Sequence, residues 1–492
     1  MARDDSILPS LTNRKDFAMP DLRVKTYSGG EIGINAEAID KLKESLRGPV
    51  LTPESEQYDE ARTIWNAMID RRPALIVRCA SASDVIRVVR FAGELKLLVA
   101  VRGGGHNIAG NAVCDGGLVI DLSPMKSVHV DPKGKTARVE PGVTLGEFDR
   151  DTQAFGLATP LGINSTTGVA GLTLGGGFGW LSRKLGLSID NLISVDVVTA
   201  AGELIRASET EHPDLFWGIR GGGGNFGIVT SFEFRLHNVG PEVLAGMIIH
   251  SLDAARDVLR FYRDFIKTTP EEFVCWSVMR KAPPLPFLPA EWHGKEILAL
   301  AVCYSGSISE GERVAKPLRS FGKPIADVIA PAPFVAWQSI LDPLLTPGMR
   351  NYWKSHDFRE VSDGLIDVLI AFARRIPDPQ TEIALAQLGE AVTRVPQDAT
   401  AYTHRDARFV LNVHGRWDSP ANDTKCISWA RELFQAAAPF ATGGVYVNFL
   451  TQEEQDRVRA AYGSNYDRLA QLKKKYDPDN FFRLNQNIKP AA

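Results

Sequence analysis

The chain has 492 residues, too many for one simple core, so two domains are the natural expectation. Its make-up, 44% apolar and 23% charged, is that of an ordinary globular protein, which sets aside fibrous and disordered classes. Lys and Arg number 56 against 59 Asp and Glu, and the net charge of −3 excludes a general nucleic-acid or anionic-membrane surface.

The first residues, MARDDSILPSLTNRKDF, are acidic at once and have no continuous apolar core, so they do not read as a secretory signal. Residues 1–44 read as an N-terminal arm, poorly structured over 1–34, followed by a first helix. Asn35 is its N-cap, and Ile39, Leu42 and Leu46 lie on one face. ALIVRC, SASDVIRVVRFAGELK and LLVAVRG then read as strand, Ser-capped helix and strand, a small βαβ unit. GLVIDL is a strand, and SVHVD-PKGK-TARVEPG is a hairpin. Thr144 with Glu147 forms a capping box for a short helix over 145–155. A second hairpin turns at Ala201-Gly202; HPDLFWGIR reads as a helix and FGIVTSFEFRLH as a strand. From about 241 the strands VLAGMIIHSL, EILALAVCYSG and RFVLNVHGRW alternate with long amphipathic helices, a second α+β unit with helices on one face of a sheet. No run approaches the roughly 20 apolar residues of a membrane span. Cys79, Cys114, Cys275, Cys303 and Cys426 lack CxxC spacing, so neither a disulfide framework nor a metal site is expected. Idle thiols in a reducing cytoplasm are.

Glycine concentrates at 103–105, 175–179 and 221–224. GGGNFG (222–227) fits the letters of a dinucleotide fingerprint, but a helix precedes it and a strand follows, so a tight turn is the better account. VRGGGHNIAG (101–110) offers successive backbone N–H groups suited to phosphate oxygens, with His106 fixed at the same contact. The stretch 159–192 carries small residues, hydroxyls and glycines over some thirty positions, able to lie along an extended ligand.

These stretches, VRGGGHNIAG, GVAGLTLGGGFGWLSRKLGLSIDNL, DLFWGIRGGGGNFGIVTSFEFRL, YVNF and YDPDNFFRLNQNI, resemble the berberine-bridge-enzyme-like branch of the vanillyl-alcohol-oxidase flavoproteins, in the right order from about 45 to the C-terminus. The resemblance implies an α+β fold with a two-part PCMH-type FAD-binding domain (45–240 and 446–492). That two-part domain wraps around a substrate-binding domain (241–445), an antiparallel sheet covered by helices. It implies FAD bonded covalently through His106. Further cofactor contacts fall on Arg102, Gly103, Gly104, Gly105, Asn107 and Gly110; on Leu161, Gly162, Thr166, Thr167, Gly168, Gly171 and Gly175; and on Asn191, Ile228, Asn448 and Asn485. Many relatives add a cysteine link; here Asn164 stands at that place and cannot form a thioether, so a single attachment is expected. Thr167 holds the position of an oxygen gate, and its modest side chain would leave room for O2.

The family's base-bearing position falls on Asn412, which cannot act as a base, whereas His414 can. Alternation puts Val410, Asn412 and His414 on one face of a strand. Tyr446 is expected on a re-entering strand beside Asn448, with Phe449 where relatives carry a second tyrosine. RNYWKSH adds Tyr352, Lys354 and His356, with Lys354 able to lower a phenol's pKa if it stood nearby. The reading is an FAD-linked oxidase acting on a C–H bond of a small alcohol, sugar or amine, with O2 as acceptor and H2O2 as product. A dehydrogenase using another acceptor and a non-catalytic flavin-binding protein are the alternatives, and the oligomeric state is left open.

Overall fold

Residues 21–492 are described by a computed structural model; the segment 1–17 read against a secretory signal lies outside them. The arm expected to be poorly structured is corrected from its first described residues. Leu22–Lys25 and Glu31–Ile34 form a hairpin, with Val24 fully buried. Thr26 bridges to Leu97, and the Leu98 N–H donates to the Lys25 carbonyl at 2.8 Å. Only Leu22, Val24, Ile32 and Ile34 carry the alternation, too short a pattern to stand out among polar neighbours.

Asn35 then caps Ala36–Ser45 by accepting from the Ala38 N–H at 2.9 Å. Leu75–Arg78, the Ser81-capped helix Ala82–Glu94 and Val99–Arg102 make the expected βαβ unit. Leu118–Asp121 inserts between its two strands and pairs in parallel with both. The hairpins Val128–Asp131/Thr136–Val139 and Leu192–Val198/Leu204–Ser208 join Ile228–Arg235 in a five-stranded sheet. Glu147 closes the capping box on Thr144 at 2.7 Å. The GGGNFG stretch is the turn the sequence suggests, one 3-10 turn at Gly223–Asn225 between helix and strand.

Beyond residue 241 one antiparallel sheet of eight strands dominates. Its centre runs Glu242–Ser251, Glu296–Tyr304, Phe273–Lys281, Glu382–Gln387, Phe409–Trp417 and Arg350–Phe358 at the edge. Helices Ala255–Phe265, Asp363–Ala373 and Asp423–Ala437 bury their apolar stripes on one face. The other face packs Trp276, Ala386 and Val410 against the five-stranded sheet's core. Three of these strands are hard to see in sequence. Phe273–Lys281 is buried on both faces, and Arg350–Phe358 and Glu382–Gln387 place polar residues inside. Tyr446 does not belong to a strand: it is an extended residue capping the 3-10 turn Val447–Phe449. All five cysteines are buried and unpaired, and among the described residues no helix is long and apolar enough to cross a membrane.

Candidate active site

A cavity of about 330 Å³ lies between the helix-free face of the large sheet and the glycine loops of the N-terminal part. The loop Gly103–Asn107 leaves the strand Val99–Arg102 and meets the loop 164–168 backbone to backbone. A Cβ on Gly104 would stand 2.5 Å from the Gly168 nitrogen, and Gly105 has φ +72°, so glycine is required at both. The second loop is anchored by the Leu145 N–H, which donates to the Thr167 carbonyl at 2.8 Å.

His106 lies half-buried where these loops touch. Its ring stacks on Trp65, centroids 5.0 Å apart at 23°. Nε2 is 2.9 Å from the Thr166 hydroxyl and Nδ1 3.4 Å from that of Thr167. Burial pushes the imidazole down to about 3, only partly opposed by Thr166, so the ring is neutral at working pH.

The opposite wall comes from the large sheet. Val410, Asn412 and His414 share the cavity face as alternation requires, beside Ala384, Ala386 and Trp353. Sequence reasoning missed Glu382, which pairs across from His414. Its carboxylate lies 3.2 Å from His414 Nδ1 and accepts from Arg280 Nη1 at 2.7 Å. Burial alone would raise the Glu382 carboxyl, but Arg280, the His414 bond and Arg416 outweigh it and hold it down at about 2. Burial lowers His414 below the ordinary imidazole range, with Glu382 opposing. A lone acid in the apolar run TEIALAQ was the available signal.

From the C-terminal segment, the Tyr446 hydroxyl oxygen accepts from the Gly177 N–H at 3.1 Å and from Asn448 Nδ2 at 2.9 Å. Burial pushes the phenol up to about 12, partly offset by those two donors. Asn448 Nδ2 also donates to the Leu172 carbonyl at 3.1 Å.

Gly103, Gly104, Gly105, Asn107, Gly162, Thr167, Gly168, Gly171, Ile228, Asn448 and Asn485 all line the cavity. Other expected residues stand behind it. Thr166 backs His106. A Cβ on Gly175 would collide with Asn448, Leu161 packs in the core, and the Gly110 carbonyl accepts from Arg71. Arg102 donates to the Ala61 carbonyl, and Asn191 braces the Leu185 and Leu187 carbonyls at 2.9 and 3.0 Å. Tyr352 needs correction: it faces the helix layer, bonded to Glu453 and to Arg431 Nε. Lys354 shares that face, 2.8 Å from Glu453, so its charge is spent away from Tyr446. His356, also on that side, gives its Nε2 to the Phe434 carbonyl at 2.9 Å. Missed as well were the aromatic walls Trp65, Trp276, Trp353 and Phe178, and the lining role of Gly223, Gly224 and Gly227.

The residues present fit FAD. Among the described residues that line the cavity, Asn111 Nδ2, Asn485 Oδ1 and Gln486 Nε2 are buried without a hydrogen-bond partner, which in a native fold calls for a polar ligand or water. They accompany two loops whose glycines leave the backbone open to close approach. Comparison with known proteins agrees. Residues 73–208 match the family described as FAD binding domain, and 445–489 match Berberine and berberine like. An FAD-linked oxidoreductase of Dictyostelium discoideum is 32% identical, over 92% of this chain and 97% of its own length. The chain is a berberine-bridge-enzyme-like FAD-linked oxidoreductase. The (R)-6-hydroxynicotine oxidase of Paenarthrobacter nicotinovorans is 33% identical to this oxidoreductase over 91% of the chain and 98% of its own. The crystal structure of 6-hydroxy-D-nicotine oxidase from Arthrobacter nicotinovorans superposes with a TM-score of 0.82 at 31% identity, covering 91% of this oxidoreductase and 99% of that chain. Like these relatives it is an oxidoreductase of the FAD-dependent oxidase family, and Tyr446, Asn448 and Asn485 fall within the berberine-like match.

Proposed function

We propose that this oxidoreductase removes a hydride from the carbon next to nitrogen in a small, flat amine, and passes the electrons to O2 to give H2O2. The observation that carries this reading is the cavity wall. Trp65, Trp276, Trp353, Phe178 and Phe449 give it flat apolar walls against which a ring can lie. An alcohol needs its O–H proton removed as the hydride leaves, whereas a neutral amine stabilises the developing cation with its own lone pair. The groups on hand suit the second case. Asn412 cannot titrate, and Tyr446 is protonated at neutral pH. The relative named for 6-hydroxynicotine supports an amine over a sugar.

When bound, FAD supplies the acceptor for the hydride. The chain's own residues bind, orient and handle the proton. Asn412 orients the substrate from the large sheet. The Tyr446 oxygen is filled by two N–H donors, so its O–H is the function left to direct at the ligand. His414, with Glu382 on Nδ1 and the Asn351 amide oxygen 3.3 Å from Nε2, is the titratable group of that wall and takes up the proton that turns a substrate ammonium into the reactive free amine. In this reading 45–240 and 446–492 hold FAD and 241–445 binds substrate. Five buried thiols suit a cytoplasmic setting.

His106 carries the flavin in one covalent bond, and Asn164 leaves no thiol for a second. Acid-precipitated protein is expected to stay yellow, and its digest to hold one flavin-bearing peptide, with the flavin on His106 and none on a cysteine. His106→Ala is expected to release its flavin to the supernatant; a yellow pellet from that variant refutes the assignment. The substrate class is tested by anaerobic bleaching of the flavin with a panel of amines, aryl alcohols and oligosaccharides, followed by peroxide yield in air. Bleaching by oligosaccharides alone overturns the reading.

Thr167 lines the cavity beside His106 and is small enough to leave O2 a path. Thr167→Leu is expected to slow reoxidation by O2 while anaerobic reduction stays near the parent rate. Parent protein that air barely reoxidises is instead a dehydrogenase.

A further inference from the structure

The residue that replaces the second attachment point has a hydrogen-bonding role of its own. Asn164 Oδ1 accepts the Thr166 backbone N–H at 3.0 Å, and this fixes which end of the amide is oxygen. The Thr166 hydroxyl lies 2.7 Å from that same oxygen, a contact it can make only as donor. A hydroxyl has one proton. With that proton given to Asn164, the Thr166 oxygen can meet His106 Nε2, 2.9 Å away, only as an acceptor. Nε2 therefore carries the hydrogen. In the neutral ring Nδ1 then keeps its lone pair, and its nearest polar neighbour is the Thr167 hydroxyl at 3.4 Å.

The orientation agrees. Thr167, beside Nδ1, lines the cavity, and Thr166, beside Nε2, does not. Trp65 stacks on the ring and holds its plane. We infer that Asn164 and Thr166 are positioning residues for flavin attachment, fixing the tautomer of His106 so that Nδ1 is the nitrogen that forms the bond. This rests on the covalent reading above and adds to it the residues that select the bonding nitrogen. In the step, the Nδ1–carbon bond replaces one C–H of the flavin's 8α-methyl group. That proton and the one on Nε2 pass to the ring system with the electron pair, leaving it reduced by two electrons. O2, the acceptor already proposed, takes both electrons and both protons and leaves as H2O2.

The test follows covalent incorporation of FAD into the full-length chain, produced without flavin, as flavin retained after acid precipitation. NMR of the isolated histidyl-flavin peptide identifies the linked nitrogen. Parent protein is expected to give the Nδ1 isomer. Thr166→Val is expected to lower the initial rate about tenfold, with non-covalent FAD binding, read by fluorescence quenching, unchanged. Thr166→Ser restores the rate. Asn164→Ala frees the Thr166 proton to turn toward Nε2, favours the wrong tautomer, and is expected to slow incorporation although Thr166 remains. An Nε2 linkage, or parent-like rates in both Thr166→Val and Asn164→Ala, overturns the inference while leaving attachment at His106 intact. Parent protein with no covalent flavin at all refutes the attachment reading itself, and this inference with it.

Discussion

Tyr446→Phe is expected to slow anaerobic flavin reduction by about 10²–10³-fold, the usual loss when one positioned hydrogen-bond donor is removed from a reacting centre, without loss of FAD. Phe retains the ring packing against Phe178 and Phe449, whose centroids lie 4.8 and 4.9 Å away, so the cavity keeps its shape. It loses the single oxygen on which the Gly177 N–H and Asn448 converge. The Gly177 N–H is left buried and unpaired, Asn448 Nδ2 keeps its bond to the Leu172 carbonyl, and no O–H remains to direct at the ligand. Stopped-flow bleaching under nitrogen measures the rate, and the visible spectrum reports bound flavin. A parent-like rate removes Tyr446 from the chemistry. Because burial lowers His414, the parent rate is expected to hold at neutral pH and to fall only as the pH drops below the ordinary imidazole range.

Glu382→Gln is expected to cost about 3–5 kcal/mol of stability, the usual result of removing one partner from a buried ion pair. Arg280, 2.7 Å away, and the fully buried Arg416 would face each other without the charge that separates them. The pH dependence carries a second signature. Held at about 2 in the folded chain against an ordinary 4.5, the carboxylate contributes stability that is fully present above 4.5 and lost as the pH falls toward 2. Denaturant midpoints of parent and variant are therefore expected to differ most near neutrality and to converge in acid. Equal midpoints at pH 7 would show that the arginines find other partners.

The features legible in sequence are those written locally. Caps at Asn35, Ser81 and Thr144 mark helix starts because the side chain that satisfies the orphan N–H is only a few residues away. Triple glycine followed by histidine announces a backbone contact. Strict alternation places Asn412 and His414 together. Features that depend on which strand lies beside which are not written in any one segment. Glu382 meets His414 only because Glu382–Gln387 pairs with Phe409–Trp417. Tyr352 and Lys354 do share a face, but register sets Trp353 opposite His414 and turns that pair toward the helices. Trp65 reaches His106 from a separate stretch, held by its N–H to the Gly105 carbonyl at 3.2 Å.

The cavity is bounded at one side by Gly103–Asn107 and at another by Phe482, Leu484, Asn485 and Gln486. Most of the chain's length separates these two walls. Synthesis proceeds at about 5–20 residues per second, so the first wall leaves the ribosome on the order of tens of seconds before the last. Through that interval the whole large sheet is made while the cleft it must cover stands open on one side. The closing segment then locks down through Lys473, buried and bonded to Asp477 at 2.6 Å and to the Phe482 carbonyl at 2.9 Å. Cofactor capture in the finished cleft is thus an event of the completed polypeptide, and the nascent chain must keep its aromatic walls out of trouble until then.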